Sequence, residues 1–317
     1  MSTNESTEMV TVTSLTKIYK GSVKAVDGVS LTIQKGEVFG LLGPNGAGKT
    51  TTLHMLSTIL KPTSGEAKVN GFDVAKQPGR VRQSIGIVFQ DPSSDELLTG
   101  YENLRMHALL YGVPGSIRRQ RIDEVLDLVD LKDRRNDLLK NYSGGMRRRL
   151  EIARGLLHRP KVLFLDEPTL GLDPQTREHI WEYIEKLVKE EKLTIIITTH
   201  YMDEADRLCD RIAIMDKGAI IVLDTPDELK RSLGGDIVKI KAKTPNFFAL
   251  EALDYVKLVE ADGEEVKLTV DDAGTHIQEI LSVIGKVDSV ELRPPSLSDV
   301  FLKYTGREYR EQGGGGS

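Results

Sequence analysis

Two stretches of this 317-residue chain carry residue types spaced for phosphate chemistry. In "GPNGAGKT", Gly43 to Thr50, a Gly-rich turn ends an apolar run and opens an amphipathic one. In that setting backbone N–H groups can close around phosphate oxygens, Lys49 can reach the β and γ phosphates, and the Thr50 hydroxyl can hold Mg²⁺. In "VLFLDEPT", Val162 to Thr169, Asp166 and Glu167 end an apolar strand, the place where ligand sites lie in open parallel sheets. Asp166 suits the Mg²⁺ shell, and Glu167 can orient or deprotonate a water attacking the γ-phosphate. The blander reading is two acids that end a strand and cap the next helix.

Two more strand-like runs end in polar residues. "LTIIITTH" ends at His200, whose imidazole can donate to a γ-phosphate or hold the water, and "IGIVFQ" ends at Gln90, whose amide can ligate Mg²⁺ or water. Position sets His200 apart from His54, His107, His158, His179 and His276, which read as structural. Tyr19, before the turn "KGS", can stack on an adenine ring or simply pack. A further anion-type turn, "YSGGM", places Ser143, Gly144 and Gly145 just ahead of the amphipathic run through Leu150, Ile152, Ala153 and Leu156. One domain thus holds two phosphate-type sites, 94 positions apart (143 − 49).

Those residues need a scaffold. From Val10 to about Val74 alternating apolar positions and the turns "DG" and "KGE" predict an antiparallel β layer leading into the buried strand "VFGLL". "KTTTLHMLSTIL" predicts a helix with Leu53, Leu56 and Leu60 on one face, ended before Pro62. From Asp91 to about Leu157 the 3.6-residue periodicity predicts a helical subdomain. "KVLFLDEP" and "LTIIITTH" have the continuous apolar character of buried parallel strands, with "TREHIWEYIEKLVKEE" as the crossover helix between them. "RIAIMDKGAIIVLDTP" reads as a hairpin and "DELKRSL" as a helix. The turn "LGGD", Leu233 to Asp236, marks a boundary. Beyond it the order β-α-β-β-α-β is that of a ferredoxin-like domain, closed by a short helix started at Ser296 or Ser298.

Composition excludes several classes. A formal charge of −5 and the lack of a long basic block give no support for a nucleic-acid partner. The three arginines Arg147 to Arg149 read as a solvated or ion-paired helix face. The single cysteine, Cys209, excludes an internal disulfide framework and reads as a packing residue. No run approaches the roughly 20 apolar residues that cross a bilayer. The first residues, with Glu5 and Glu8, do not read as a signal peptide, and "GGGGS" at Gly313 to Ser317 reads as an engineered flexible linker.

Together these pieces resemble the nucleotide-binding subunit of an ATP-binding cassette (ABC) transporter, over Val10 to about Leu233. Tyr19 resembles the aromatic that stacks on adenine. "GPNGAGKT" resembles the Walker A loop, putting Gly43, Pro44, Asn45, Gly46, Ala47, Gly48, Lys49, Thr50 and the adjacent Thr51 at the nucleotide. Gln90 stands as the Q-loop, "YSGGM" as the signature, "VLFLDEPT" as the Walker B strand, "GLD" (Gly171 to Asp173) as the D-loop and His200 as the switch histidine. All seven occur in the family's order. The signature departs from the common "LSGGQ", so Met146 cannot supply the usual glutamine amide. "YSGGM" followed by basic residues, with "PPSLSDVFLKYTGRE" near the end, is similar to the daunorubicin-resistance-type and sodium-export-type branch.

The resemblance implies an α/β fold: a P-loop NTPase core of the ABC ATPase type over 9–234, with a mixed sheet, an antiparallel β layer and a helical subdomain at about 91–157. A small ferredoxin-like α+β domain follows at 235–306, between a disordered start (1–8) and a tail (307–317). It implies an ATP-hydrolysing subunit of an exporter that binds MgATP, with Lys49, Gln90, Glu167 and His200 in catalysis and Thr50, Gln90 and Asp166 at Mg²⁺. Cassettes of this family pack head to tail, so Ser143, Gly144, Gly145 and Asp173 would serve the ATP of a second copy. That accounts for the second anion site. The partners implied are another cassette, in a homodimer, and a separately encoded integral membrane permease, with "DPSSDELLTGY" (Asp91 to Tyr101) as docking surface. The chain is expected in the cytoplasm, peripheral on the inner face of the membrane. The alternative is a soluble ABC ATPase acting on nucleic acid or ribosomes. Its repair members insert long heptad segments and its translation members carry paired cassettes, and neither feature is present.

Overall fold

The computed structural model describes residues 8–242 and 247–306; the expected disordered start and the tail with its Gly-rich linker lie outside them, Glu8 excepted. The chain divides into two compact units between Leu223 and Asp224, ahead of the "LGGD" turn.

The first unit runs β1 (Glu8–Tyr19), β2 (Val23–Gln34), β3 (Val38–Leu42), α1 (Lys49–Leu56), β4 (Ser64–Val69), β5 (Phe72–Asp73), α2 (Pro78–Ser84) and β6 (Ile85–Val88). It continues with α3 (Gly100–Leu110), α4 (Gly115–Leu128), α5 (Gly144–Leu156), β7 (Val162–Asp166), α6 (Pro174–Glu191), β8 (Thr194–Thr199), α7 (Met202–Leu208), β9 (Arg211–Asp216) and β10 (Ala219–Asp224). An antiparallel sheet has the order β2-β1-β4-β5, and a second sheet the order β10-β9-β3-β8-β7-β6. Within the latter β3, β8, β7, β6 and β9 pair in parallel. Their apolar runs are buried on both faces, as parallel strands require.

α1 packs between the sheets, its Leu53, Met55 and Leu56 buried with Val10, Leu15 and Ile33 from one side and Phe39, Phe164 and Ile196 from the other. The helix stops at Leu56, well short of Pro62. Thr58 adopts a left-handed φ of 66°, and the amides of Ile59 and Leu60 fold back onto His54 O. This is a C-terminal cap made without glycine. Strands β9 and β10 are joined by Lys217 and Gly218, both at positive φ, which is the two-residue hairpin geometry.

The second unit begins with α8 (Pro226–Arg231), capped by the Thr225 side chain. Then come β11 (Asp236–Lys241), α9 (Phe247–Glu251), β12 (Val256–Asp262), β13 (Glu265–Val270), α10 (Ala273–Ile284), β14 (Ser289–Arg293) and α11 (Leu297–Thr305). The sheet order β12-β13-β11-β14, antiparallel throughout, is the ferredoxin-like arrangement. Val238, Ile240, Val266, Leu268 and Val270 bury one face with Leu250, Ile280 and Ile284. Ser296 starts α11 in a capping box with Asp299, and α11 packs on α8, which therefore belongs with this unit.

Candidate functional site

β3 delivers the chain into the Gly-rich loop, and α1 begins at Lys49 with Gly48 as its N-cap at φ 103°. A Cβ on Gly48 would stand 2.5 Å from Ala25 O, so both conformation and space require glycine there. The loop is tied down by Ala47 N to Pro44 O (3.1 Å), Gly218 N to Ala47 O (3.0 Å) and Gly43 N to Thr199 O (3.3 Å). The first amides of α1, which have no helical partner, can then serve an anion. Lys49, almost fully buried, donates from Nζ to Gly43 O at 2.7 Å and Pro44 O at 3.1 Å.

Asp166 closes β7, and its Oδ1 accepts from Thr50 Oγ1 at 3.0 Å and Thr198 Oγ1 at 2.5 Å. His54, read from sequence as structural, has Nε2 3.9 Å from the other oxygen. Glu167 follows at a left-handed φ of 45°, a conformation that costs about 1–3 kcal/mol and needs outside support. Its amide donates to Thr198 O at 3.0 Å and to Thr198 Oγ1 at 3.1 Å. The turn aims the carboxylate between the Lys49 ammonium and the His200 ring: Oε1 is 3.5 Å from Lys49 Nζ, and Oε2 is 3.1 Å from His200 Nδ1.

Burial pushes the Glu167 carboxyl up, but the His200 hydrogen bond and the Lys49 charge outweigh it and hold the group below the ordinary value. For Lys49 burial dominates and lowers the ammonium, against the opposing pull of Glu167 and Asp166.

Tyr19, Asn45, Gly46, Ala47, Gly48, Lys49, Thr50, Thr51, Gln90, Glu167 and His200 all line one cleft of about 700 Å³, with Gly43, Pro44 and Asp166 in the backbone and floor around it. Thr50, Asp166 and the amide of Gln90 offer one hydroxyl, one carboxylate and one carbonyl oxygen. No cluster of three or more His, Cys, Asp or Glu suited to a metal occurs among the described residues. So sparse a set of hard oxygens fits Mg²⁺, which keeps waters and takes phosphate oxygens for the rest of its shell.

Ser143, Gly144, Gly145 and Asp173 do not reach this cleft. Ser143 caps α5, accepting from Met146 N at 3.3 Å, and borders a separate cavity of about 460 Å³ with Gly145, Met146 and Thr176. Asp173 caps α6, accepting from Thr176 N at 3.0 Å and Thr176 Oγ1 at 2.5 Å. A Cβ on Gly145 would lie 2.5 Å from Thr176 Cγ2, so glycine lets the two helix starts press together. Ser143, Gly144 and Asp173 are all exposed.

Two residues near the chemistry escaped the sequence reading. Thr198 sits inside an apolar run, yet its hydroxyl bridges Asp166 and the Glu167 amide. The arginine run is a solvated or ion-paired face only in part. Arg147 pairs with Glu96, and Arg149 donates to Val129 O at 3.1 Å, but Arg148 is buried. The available signal was spacing: Arg148 lies four residues before Ile152, on the apolar side of α5.

Comparison with known proteins gives consistent matches to both units. The profile of the ABC transporter family matches residues 26–170, and that of the ATP-binding protein DrrA1-3-like C-terminal domain matches 225–305. The daunorubicin resistance ATP-binding protein DrrA2 of Streptomyces coeruleorubidus is 43% identical over 90% of this chain and 92% of its own length. The linearmycin resistance ATP-binding protein LnrL of Bacillus subtilis (strain 168) is 38% identical over 96% of this chain and 100% of its own. Among solved structures, the dimeric post-hydrolysis state of the ATP-binding cassette MJ0796, bound to ADP and Pi, superposes with a TM-score of 0.62 at 30% identity, over 68% of this chain and 98% of that one. Among the described residues no helix is long and apolar enough to cross a membrane.

Proposed function

Because this chain belongs to the ATP-binding proteins of ABC transporters, a family that hydrolyses ATP to power transport, we propose that it drives export through a separate permease as a head-to-tail pair. In this reading ATP lies in the Lys49 cleft with its adenine on Tyr19. The amides of the Gly43–Thr51 loop and Lys49 hold the phosphates, and Thr50, Asp166 and Gln90 would hold Mg²⁺, which would neutralise phosphate charge. Glu167 orients the attacking water and takes its proton, while His200 holds Glu167 from the far side and reaches the γ-phosphate. Positioned base catalysis of this kind contributes roughly 10²- to 10⁴-fold. Lys49 turns from Gly43 O, Pro44 O and Glu167 toward the phosphates as ATP enters, which leaves the carboxylate without its cationic neighbour and more basic.

Ser143, Gly144, Gly145 and Asp173 close over the ATP of a second copy. The observation that carries this reading is their separation: one chain presents a nearly complete cleft and, elsewhere on its surface, the exposed α5 start that the cleft lacks. The segment Asp91 to Tyr101, with Leu97 three-quarters exposed, receives the permease and places the protein on the inner face of the membrane. The resistance functions named for DrrA2 and LnrL support export, and the second unit serves as an accessory domain.

The test is ATP turnover by the chain and by Glu167→Gln, with and without its permease in lipid, together with sizing of Glu167→Gln at millimolar ATP and Mg²⁺. Turnover that needs Glu167 and changes with the permease, and a variant that elutes as a dimer with ATP, are expected. A variant that stays monomeric overturns the pairing. Turnover that ignores the permease but responds to ribosomes or nucleic acid overturns the transport reading.

A further inference from the structure

Arg148 lies one turn into α5, 7% exposed. Its guanidinium donates from Nη1 to Phe89 O at 2.6 Å, from Nε to Pro168 O at 2.5 Å and from Nη2 to Asp166 O at 3.1 Å. Phe89 immediately precedes Gln90, and Asp166 and Pro168 flank Glu167 on both sides. One planar side chain therefore spans the two loops whose residues face each other across the γ-phosphate end of the cleft. Burial lowers its pKa to about 10, which leaves it charged at neutral pH. For a buried cation whose three acceptors are all backbone carbonyls, desolvation offsets much of the gain in stability, although its removal leaves those carbonyls without this donor. What the arrangement does supply is geometry, because the guanidinium fork fixes three acceptors in one plane at set angles.

We propose that Arg148 is a positioning residue for ATP hydrolysis: it sets the backbone at Gln90 and at Glu167 relative to each other, so that the carboxylate meets the attacking water in register. The left-handed turn at Glu167 needs such support, and two of the three bonds fall on the carbonyls of the residues on either side of it. The proposal rests on the reading of Glu167 as the group that handles the water. It also gives α5 two roles in one rod, with Ser143 at its start and Arg148 gripping the loops of its own chain's cleft.

The test compares Arg148→Lys and Arg148→Met in the full chain by kcat and KM for ATP, affinity for a fluorescent ATP analogue, melting temperature and emission of the sole tryptophan, Trp181. Lysine keeps charge and reach but cannot hold three carbonyls in the same plane. A misplacement of about 1 Å at the reacting centre costs on the order of 10²-fold, so kcat of Arg148→Lys should fall about 10- to 100-fold. KM and analogue affinity should stay within about threefold, because the Gly-rich loop is untouched. In a Glu167→Gln background the same substitution should lower residual turnover by less than about threefold, as two changes acting through one residue do not add.

The proposal is overturned if Arg148→Lys folds as the wild type and keeps its kcat. It is equally overturned if kcat, affinity and melting temperature decline in step, the mark of a merely structural side chain. Should Arg148→Met fail to fold, Arg148→Lys decides alone. If turnover of the unmodified chain is indifferent to Glu167→Gln, the functional reading has failed first, and that result is visible before any Arg148 variant is measured.

Discussion

Lys49 Nζ stands 3.5 Å from Glu167 Oε1 while it donates to two carbonyls of its own loop. The lysine is thus held in place by groups that the phosphate oxygens of the proposed ATP complex would displace, and the cleft is charged before substrate arrives. A charge-assisted bond contributes about 1.5–3 kcal/mol. Lys49→Ala should therefore weaken ATP binding by roughly 10- to 100-fold, read by calorimetric titration at neutral pH. Unchanged affinity would place the phosphates elsewhere.

The same pair sets a pH dependence. In the free protein Glu167 is held below the ordinary carboxylate pKa by His200 and Lys49 against the effect of burial. In the proposed ATP complex, where Lys49 turns to the phosphates, that depression would shrink. The acidic limb of kcat, which reports the bound complex, should lie at higher pH than that of kcat/KM, which reports the free enzyme. In His200→Ala the kcat/KM limb should move up as well, since its hydrogen bond favours the charged carboxylate. Limbs that coincide in the wild type would show that Lys49 keeps its hold on Glu167 when ATP is bound.

Glycines of the loop should not be equivalent. Gly48, at φ 103°, faces Ala25 O where a Cβ would clash, whereas Gly46, at φ 82°, faces open space. Gly48→Ala should destabilise by about 2–4 kcal/mol from strain plus overlap, and Gly46→Ala by about 1–2 from strain alone. Urea titrations of the two variants would reverse the assignment if their order were inverted.

In the second unit Asp299 accepts from Arg293 at 2.6 and 3.0 Å and from Ser296, and lies 3.3 Å from Lys267. Burial pushes its carboxyl up, but the bonds from Arg293 and Ser296 win and hold it well below the usual range. A carboxyl depressed in the folded state contributes stability that is complete above its unfolded pKa of about 3.9 and is lost as pH falls through the folded value. Asp299→Asn should therefore be less stable than wild type by about 1–3 kcal/mol at pH 7, with the gap narrowing below about pH 4. Denaturant titration followed by circular dichroism checks this; an equal gap at pH 3 would mean the charge contributes nothing.

Much of the cleft is legible in sequence for one reason: Gln90, Asp166 and His200 each stand at or just past the end of an apolar run, and parallel strands deliver their C-terminal ends to one edge. Lys49 follows from its spacing to the glycines. What is not legible depends on neighbours distant in sequence. Thr198 looks like part of a buried strand until Asp166 is beside it. Arg148 looks solvated until Phe89 and Pro168 close around it. The early end of α1 turns on a left-handed threonine, which no glycine or proline announces, and α8 joins the second unit because α11 covers it.

The distance between Ser143 and the Lys49 cleft bears on heredity as well as chemistry. A chain damaged only at Lys49 still offers a sound α5 start, and a chain damaged only at Ser143 still offers a sound cleft. If the chain pairs head to tail as proposed, two such defective alleles expressed in one cell would assemble mixed pairs, each with one intact interface, and would complement each other in part. Partial rescue between them would betray the shared site genetically, before any complex had been isolated.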